Sequence, residues 1–231
     1  MMNRVKTGVP GFDKVIEGGL IDKSINLLSG GTGTGKTIFC LQFLFSGAKQ
    51  FKEKGIYVTF EESENDLRAD AAELGFSFEK LSNEVKFVHI PPYNLSDFLS
   101  VLKDEVLMFE AKRVVIDPLS AVAMPMEDDF ERRKQIYKVK EILKSLNCTS
   151  ILTSEVTSEG TMASELMGKF SRFEIEEFMC DSVTVLYYAG IGGESDRAIR
   201  VVKMRKTNHI RGPVPMEIGN NGIKVLTGRD K

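Results

Sequence analysis

Residues Gly30-Gly31-Thr32-Gly33-Thr34-Gly35-Lys36-Thr37 form an unbroken G-x-x-x-x-G-K-[ST] segment, and its surroundings restrict the fold more than its letters do. Immediately before it runs Ile25-Asn26-Leu27-Leu28-Ser29, an apolar stretch of the length of a buried strand. After it, from Thr37 to Phe51, Ile38, Phe39, Cys40, Leu41, Phe43, Leu44 and Phe45 leave hardly any polar face, the pattern of a helix packed on both sides. A chain that passes from buried strand to buried helix through such a loop aims successive backbone N–H groups and a helix N-terminus at one point. That point attracts polyphosphate. Glycines let the backbone come within hydrogen-bond distance of phosphate oxygens at angles a Cβ would forbid. Lys36 supplies a mobile positive charge toward the β- and γ-phosphates, and the Thr37 hydroxyl is placed to ligate Mg²⁺. A nucleotide, expected as ATP with Mg²⁺, is therefore the first inference.

The order of elements along the chain agrees with that loop. Gly55 to Phe60, Arg113 to Asp117 and Ser150 to Ser154 read as further short buried strands, with alternating Val85 to Ile90 as a fifth. Helical stripes lie between them. Leu67, Ala71 and Leu74 follow a capping-box-like Ser63-Glu64-Asn65-Asp66 and stop at Gly75; Phe98, Leu102, Val106 and Phe109 form a second stripe, and Ile136, Val139, Leu143 and Leu146 a third. After residue 180, Val183–Tyr188, Arg197–Met204 and Gly222–Leu226 read as strands joined without helices, an antiparallel extension of the same sheet. The predicted architecture is α/β, a mostly parallel central sheet flanked by helices with an antiparallel C-terminal extension. At 231 residues, with no composition break or linker, one domain over 1–231 is expected.

Composition narrows the function classes. Hydrophobic residues make up 42% and charged residues 28%, which excludes disordered and low-complexity classes. A formal net charge of -2 removes the composition-level case for a nucleic-acid binder, leaving only local patches such as Arg132-Arg133-Lys134. Cys40, Cys148 and Cys180 are odd in number, far apart and without a C-x-x-C, so neither a disulfide framework nor a zinc site is indicated. No signal peptide or membrane-spanning stretch is visible, and a reducing cytoplasmic compartment fits. His89 and the methionines Met124, Met126, Met162 and Met167 are given no role beyond packing or an adaptable interface.

Two further groups complete the candidate site. The run Arg113-Val114-Val115-Ile116-Asp117 ends in a carboxylate, and Asp117 is placed to hold Mg²⁺ through water opposite Thr37. Glu61 and Glu62 follow the strand ending Val58-Thr59-Phe60 and so project into the crevice at the carboxyl ends of parallel strands. One of the pair can deprotonate an attacking water while the other tunes it. Without the phosphate loop, the same pair would read simply as acids in the first turn of the next helix.

These residues, with Thr7-Gly8-Val9-Pro10-Gly11-Phe12-Asp13 before a Gly18-Gly19-Leu20 turn, Thr153-Ser154-Glu155, and Lys203-Met204-Arg205 leading to Thr207-Asn208-His209, resemble the KaiC-like ATPases of the RecA superfamily. The resemblance runs from about residue 4 to residue 226. It implies a RecA-like domain that assembles as a homo-oligomeric ring, commonly a hexamer, with ATP at subunit interfaces and an unidentified protein partner. It places Thr34, Gly35, Lys36, Thr37 and Ile38 at the phosphates and Mg²⁺, with Glu61 and Glu62 as catalytic glutamates. Lys203 and Arg205 match residues that reach the γ-phosphate from the neighbouring subunit, with Met204, Thr207 and His209 along the ribose and base and Arg211 as a further basic group. Being two apart, Lys203 and Arg205 would project from one face of a strand. The chain departs from the family's pattern at Pro118, Lys206 and Glu73, and it carries one such domain, so clock function and autokinase activity are not expected.

Two rival functions remain open from sequence. A recombinase-like DNA-binding ATPase would use the segments Met124–Asp129 and Glu155–Glu159, which start acidic and carry only Lys169 and Arg172 near the end of the second. A non-hydrolysing nucleotide sensor would use ATP to fix ring assembly or the docking of a partner; the presence of both Glu61 and Glu62 favours slow hydrolysis over none.

Overall fold

The computed structural model describes residues 2–91, 97–156, 170–190 and 196–228. Two two-residue strands, β1 (Arg4–Val5) and β2 (Leu20–Ile21), pair antiparallel around the short helix α1 (Phe12–Val15). Then follow β3 (Ile25–Gly30), α2 (Lys36–Phe51), β4 (Gly55–Thr59), α3 (Glu64–Glu73), β5 (Val85–His89), α4 (Phe98–Phe109), β6 (Arg113–Asp117), α5 (Leu119–Ala123), α6 (Asp129–Ser145) and β7 (Thr149–Glu155). The short helix α7 (Glu176–Met179) precedes β8 (Ser182–Tyr188), β9 (Arg197–Met204), β10 (Val214–Gly219) and β11 (Gly222–Val225).

Nine strands form one sheet in the order β11-β10-β9-β8-β3-β7-β6-β4-β5. From β8 to β5 every pairing is parallel; β9, β10 and β11 are antiparallel. The period-2 alternation of side chains divides the core between the sheet's two faces. Leu28, Tyr57, Val115, Ile151 and Leu186 pack with α1, α2, α3 and the C-terminal strands. Their neighbours in that alternation, Leu27, Val58, Val114, Ile116, Leu152 and Val185, pack with Ile25 against α4, α5 and α6 on the other side. Helix α2 is buried through its middle, with Phe39, Cys40, Leu41, Phe43 and Leu44 each at most 2% exposed, as its apolar sequence requires, and its last turn reaches solvent.

A local signal read from the sequence takes physical form. Ser63 caps α3 by accepting from the Asp66 N–H, and its hydroxyl donates back to the Asp66 carboxylate at 2.6 Å. Asp128 caps α6 by accepting from the N–H groups of Phe130 and Glu131. One expectation is corrected. The sequence pattern puts Val183–Tyr188 in the antiparallel extension, but β8 runs parallel to β3, with Gly30 opposite Leu186. The interval from 156 to 181 exceeds the roughly dozen residues that a parallel crossover needs, so the chain re-enters the sheet in the same direction. The antiparallel part begins at β9. It also includes β10, a strand absent from the sequence reading, whose Pro215 lies opposite Ala198 at the end of a short two-residue pairing.

Candidate functional site

The carboxyl ends of β3, β4, β6 and β7 open into a cleft of about 200 Å³ lined by Thr32, Gly33, Lys36, Thr37, Thr59, Glu61, Glu62, Asp117, Pro118 and Glu155. Crevices at this end of a parallel sheet are where such folds take ligands. The phosphate loop is held open by its own chemistry. Gly33 and Gly35 stand at φ +72° and +101°, and a Cβ on Gly35 would lie 2.8 Å from Ile218 Cδ1 on β10. Buried Thr34 donates to the Gly31 carbonyl at 2.8 Å, while Thr32 and Gly33 stand exposed at the rim. Lys36 turns its ammonium onto the carbonyls of Gly30 and Gly31 at 3.0 and 2.9 Å. The N-cap residue of α2 is Gly35, which has no side chain to cap the helix, so among the described residues no cap bond occupies the N–H groups of its first turn, which includes Thr37 and Ile38.

At the centre stands Asp117, at the end of β6. Its Oδ2 accepts from the Tyr57 hydroxyl and from the Thr37 hydroxyl, the latter at 3.4 Å, and its Oδ1 accepts from the Thr153 hydroxyl. Among the described residues, no three or more His, Cys, Asp or Glu side chains gather to cage a metal by themselves. A facing hydroxyl and carboxylate nonetheless suit Mg²⁺, which takes hard oxygen donors, keeps several waters and draws its remaining ligands from phosphates. The donor set fits that ion.

Glu61 and Glu62 line the same cleft, beyond buried Phe60, whose N–H donates to the Asp117 carbonyl at 3.1 Å and so ties the ends of β4 and β6 together. The Thr59 hydroxyl accepts from the Glu62 N–H at 3.1 Å and donates to the Glu62 carbonyl at 3.0 Å, which sets the turn. Both carboxyls are raised above the ordinary glutamate value. For Glu61 the causes are burial first and then the charges of Glu155 and Asp117; for Glu62 they are burial, Asp117 and Asp70. Burial likewise lowers the Lys36 ammonium, against the opposing pull of Asp117, Glu155 and Glu61. Burial and the adjoining Asp117 charge push the Tyr57 phenol well up, so it stays a donor.

Sequence reasoning missed Tyr57 and Thr153, passed over Glu155 as part of a motif, and gave no role to Arg197. A phenol within the buried run Gly55–Phe60 was the available signal, because a buried hydroxyl needs a partner. Arg197, at the start of β9, donates to the Gly33 carbonyl at 2.7 Å and stacks 3.8 Å from the Tyr188 ring centroid. Nothing in its sequence neighbourhood marks that reach.

The late basic segment is not in this cleft. Lys203 pairs with Val183 and Met204 with Ser182, at the end of β8 opposite the one that borders Gly30. Arg205 stands one residue past β9 rather than on it, 62% exposed, 3.8 Å from Asp181. Lys203 donates to the Glu177 carbonyl at 2.6 Å, Met204 is buried, Thr207 accepts from Arg4 at 2.9 Å, and His209 Nδ1 lies 3.1 Å from the Ile210 carbonyl. Lys206 sits at φ +54°, a backbone angle glycine adopts without strain.

Two of the three bases in the α6 patch, and Arg172, carry their own counterions. On α6, Arg132 pairs with Asp129 at 2.8 Å and Lys134 with Glu131 at 3.2 Å; Arg172 pairs with Glu155 at 3.0 Å. Residues 157–159, Lys169, Met162 and Met167 lie outside the described residues. No helix among the described residues is long and apolar enough to cross a membrane.

Comparison with known proteins agrees with this geometry. The profile of the KaiC ATPase family matches residues 5–230. The circadian clock oscillator protein KaiC of Nostoc sp. is 34% identical over 97% of this chain and 44% of its own, and that of Parasynechococcus marenigrum is 32% identical over 97% and 45%. The chain thus spans somewhat under half the length of these relatives. The crystal structure of a KaiC-like protein from the hyperthermophilic archaeon Pyrococcus horikoshii is 38% identical, covers 98% of this chain and 100% of its own, and superposes with a TM-score of 0.85. A phosphate loop between buried strand and buried helix, the glutamate pair facing it and the end-to-end match to this RecA-superfamily fold have one meaning: the chain belongs to the KaiC family of ATPases.

Proposed function

We propose that this chain is a single ATPase domain over 1–231 that binds and hydrolyses Mg²⁺-ATP in a cytoplasmic homo-oligomeric ring, of six subunits by analogy with the family, and signals its nucleotide state to a protein partner. The observation that carries the proposal is the division of the machinery. The loop, Thr37, Asp117, Glu61 and Glu62 share one cleft, whereas Lys203 and Arg205 lie at the opposite end of the sheet. A couple so placed can meet a γ-phosphate only on a neighbouring copy.

In this scheme the loop N–H groups and Lys36 hold the phosphates, Lys36 exchanging its carbonyl partners for phosphate oxygens. Thr37 and Asp117, whose side chains face each other, would hold the metal. The chemistry a bound magnesium ion supplies is neutralisation of charge across the β- and γ-oxygens. Glu61 or Glu62 accepts the proton of the attacking water; their raised basicity serves that step. Lys203 and Arg205 of the adjoining copy neutralise charge developing on the transferring phosphoryl group, an effect worth roughly 10³–10⁵ in rate for arginine fingers elsewhere. Met204, Thr207 and His209 follow along the nucleotide's ribose and base. The self-paired acids and bases on α6 and at Arg172 support an ATPase rather than a DNA-binding recombinase.

Light scattering with and without ATP, combined with phosphate release, tests the proposal. Assembly with nucleotide and Mg²⁺-dependent release support it. A chain that stays monomeric when saturated with ATP and yet hydrolyses it at full rate removes it.

A further inference from the structure

The carboxylate of Asp117 is surrounded by hydroxyls from three different elements. Tyr57 on β4 and Thr37 on α2 donate to Oδ2, and Thr153 on β7 donates to Oδ1. Strand register explains the convergence. Thr59 lies opposite Asp117, so Tyr57, two residues earlier, stands on the same face of β4 and reaches one step along the sheet. Thr153 stands one step beyond the Ile116–Leu152 pair, on the other flank of β6. Tyr57 is fully buried and its ring stacks on Phe87 with centroids 5.7 Å apart, so the phenol has a single conformation to offer. Thr153 is fully buried as well.

From this we infer that Tyr57 and Thr153 are positioning residues for the magnesium-binding carboxylate, a pair of hydroxyls that hold the Asp117 plane so that it faces Thr37. The inference rests on the metal role proposed above for Thr37 and Asp117. Groups that orient a ligating carboxylate in this way are worth roughly 10- to 100-fold in metal affinity. On β4 the Tyr57 phenol thus ends on the carboxylate that also accepts from Thr37 at the start of the phosphate-loop helix, rather than on a backbone group of its own strand.

The test uses the full chain, a fluorescent ATP analogue as probe, and titration with MgCl₂. Tyr57→Phe keeps the ring and its stacking and removes one oxygen; Thr153→Val replaces the other hydroxyl by a methyl group. Each variant is expected to bind the analogue without Mg²⁺ as the parent does, within about twofold, and to need about tenfold more Mg²⁺ for half-maximal enhancement of binding, with phosphate release recovering at high Mg²⁺. Thermal unfolding checks that each variant is folded, and either one suffices if the other is not. A Mg²⁺ midpoint within about twofold of the parent's in a folded variant overturns the inference and leaves the metal site standing. A parent protein whose nucleotide affinity does not respond to Mg²⁺ overturns both.

Discussion

Gly35 and Ile218 meet at the point where the phosphate loop becomes helix α2. Gly35 holds φ at +101°, and a Cβ there would lie 2.8 Å from Ile218 Cδ1 on β10. The C-terminal extension therefore braces the loop as well as completing the sheet. Ile218 can shift its terminal methyl, but the backbone angle cannot be relieved in the same way. Gly35→Ala is expected to lower unfolding free energy by about 1–2 kcal/mol and to weaken ATP binding at least about tenfold. Urea denaturation and nucleotide titration check both, and an unchanged midpoint would contradict the strained geometry.

Glu61 and Glu62 yield a pH prediction. Their carboxyls are raised in the fold, and the base must be ionised to act, so phosphate release should fall on acidification at a pH above that of an ordinary glutamate, about 4.3. The sign for stability is opposite. A raised acid favours the folded state in its neutral form, and that contribution is lost as pH rises through the folded-state value. Glu61→Gln should thus melt higher than the parent at neutral pH, with the gain shrinking toward about pH 4, while release drops about 10²-fold or more with nucleotide binding retained. A melting gain that grows on acidification would reverse the assignment.

Division of the site between copies predicts complementation. Chains carrying Lys203→Ala and chains carrying Glu61→Gln should each be nearly inactive. In a randomly mixed ring about a quarter of interfaces combine an intact glutamate with an intact neighbouring lysine, so mixing should restore up to about a quarter of parental phosphate release. No recovery from co-refolded or co-expressed mixtures that assemble normally would place Lys203 outside the reaction.

Arg113 predicts a stability effect far from the chemistry. Its guanidinium is 1% exposed, lies 2.7 Å from Glu53, donates to the carbonyls of Lys6 and Phe43, and stacks 4.6 Å from the Phe43 ring centroid. Glu53→Ala leaves that charge buried without its partner. The expected loss is about 2–3 kcal/mol, below the range for a fully enclosed pair because a third of the Glu53 side chain meets solvent, and denaturant unfolding reads it directly.

Much of this molecule is written locally. The phosphate loop, the capped helices α3 and α6, the buried strands β3, β4, β6 and β7 and the terminal carboxylate of β6 each follow from neighbouring residues, because dihedral restrictions, capping bonds and side-chain periodicity act within a few positions. That is why Lys36, Thr37, Glu61, Glu62 and Asp117 are legible as one constellation in the sequence alone. The direction of β8, the hydroxyls of Tyr57 and Thr153 on Asp117, and the reach of Arg197 to Gly33 are not. They depend on which strands become neighbours and in what register, a choice made by burial of the two sheet faces over the whole chain. The same choice carries Lys203 and Arg205 to the far end of the sheet, since β9 runs opposite to β8 and returns the chain to the edge where the parallel strands begin.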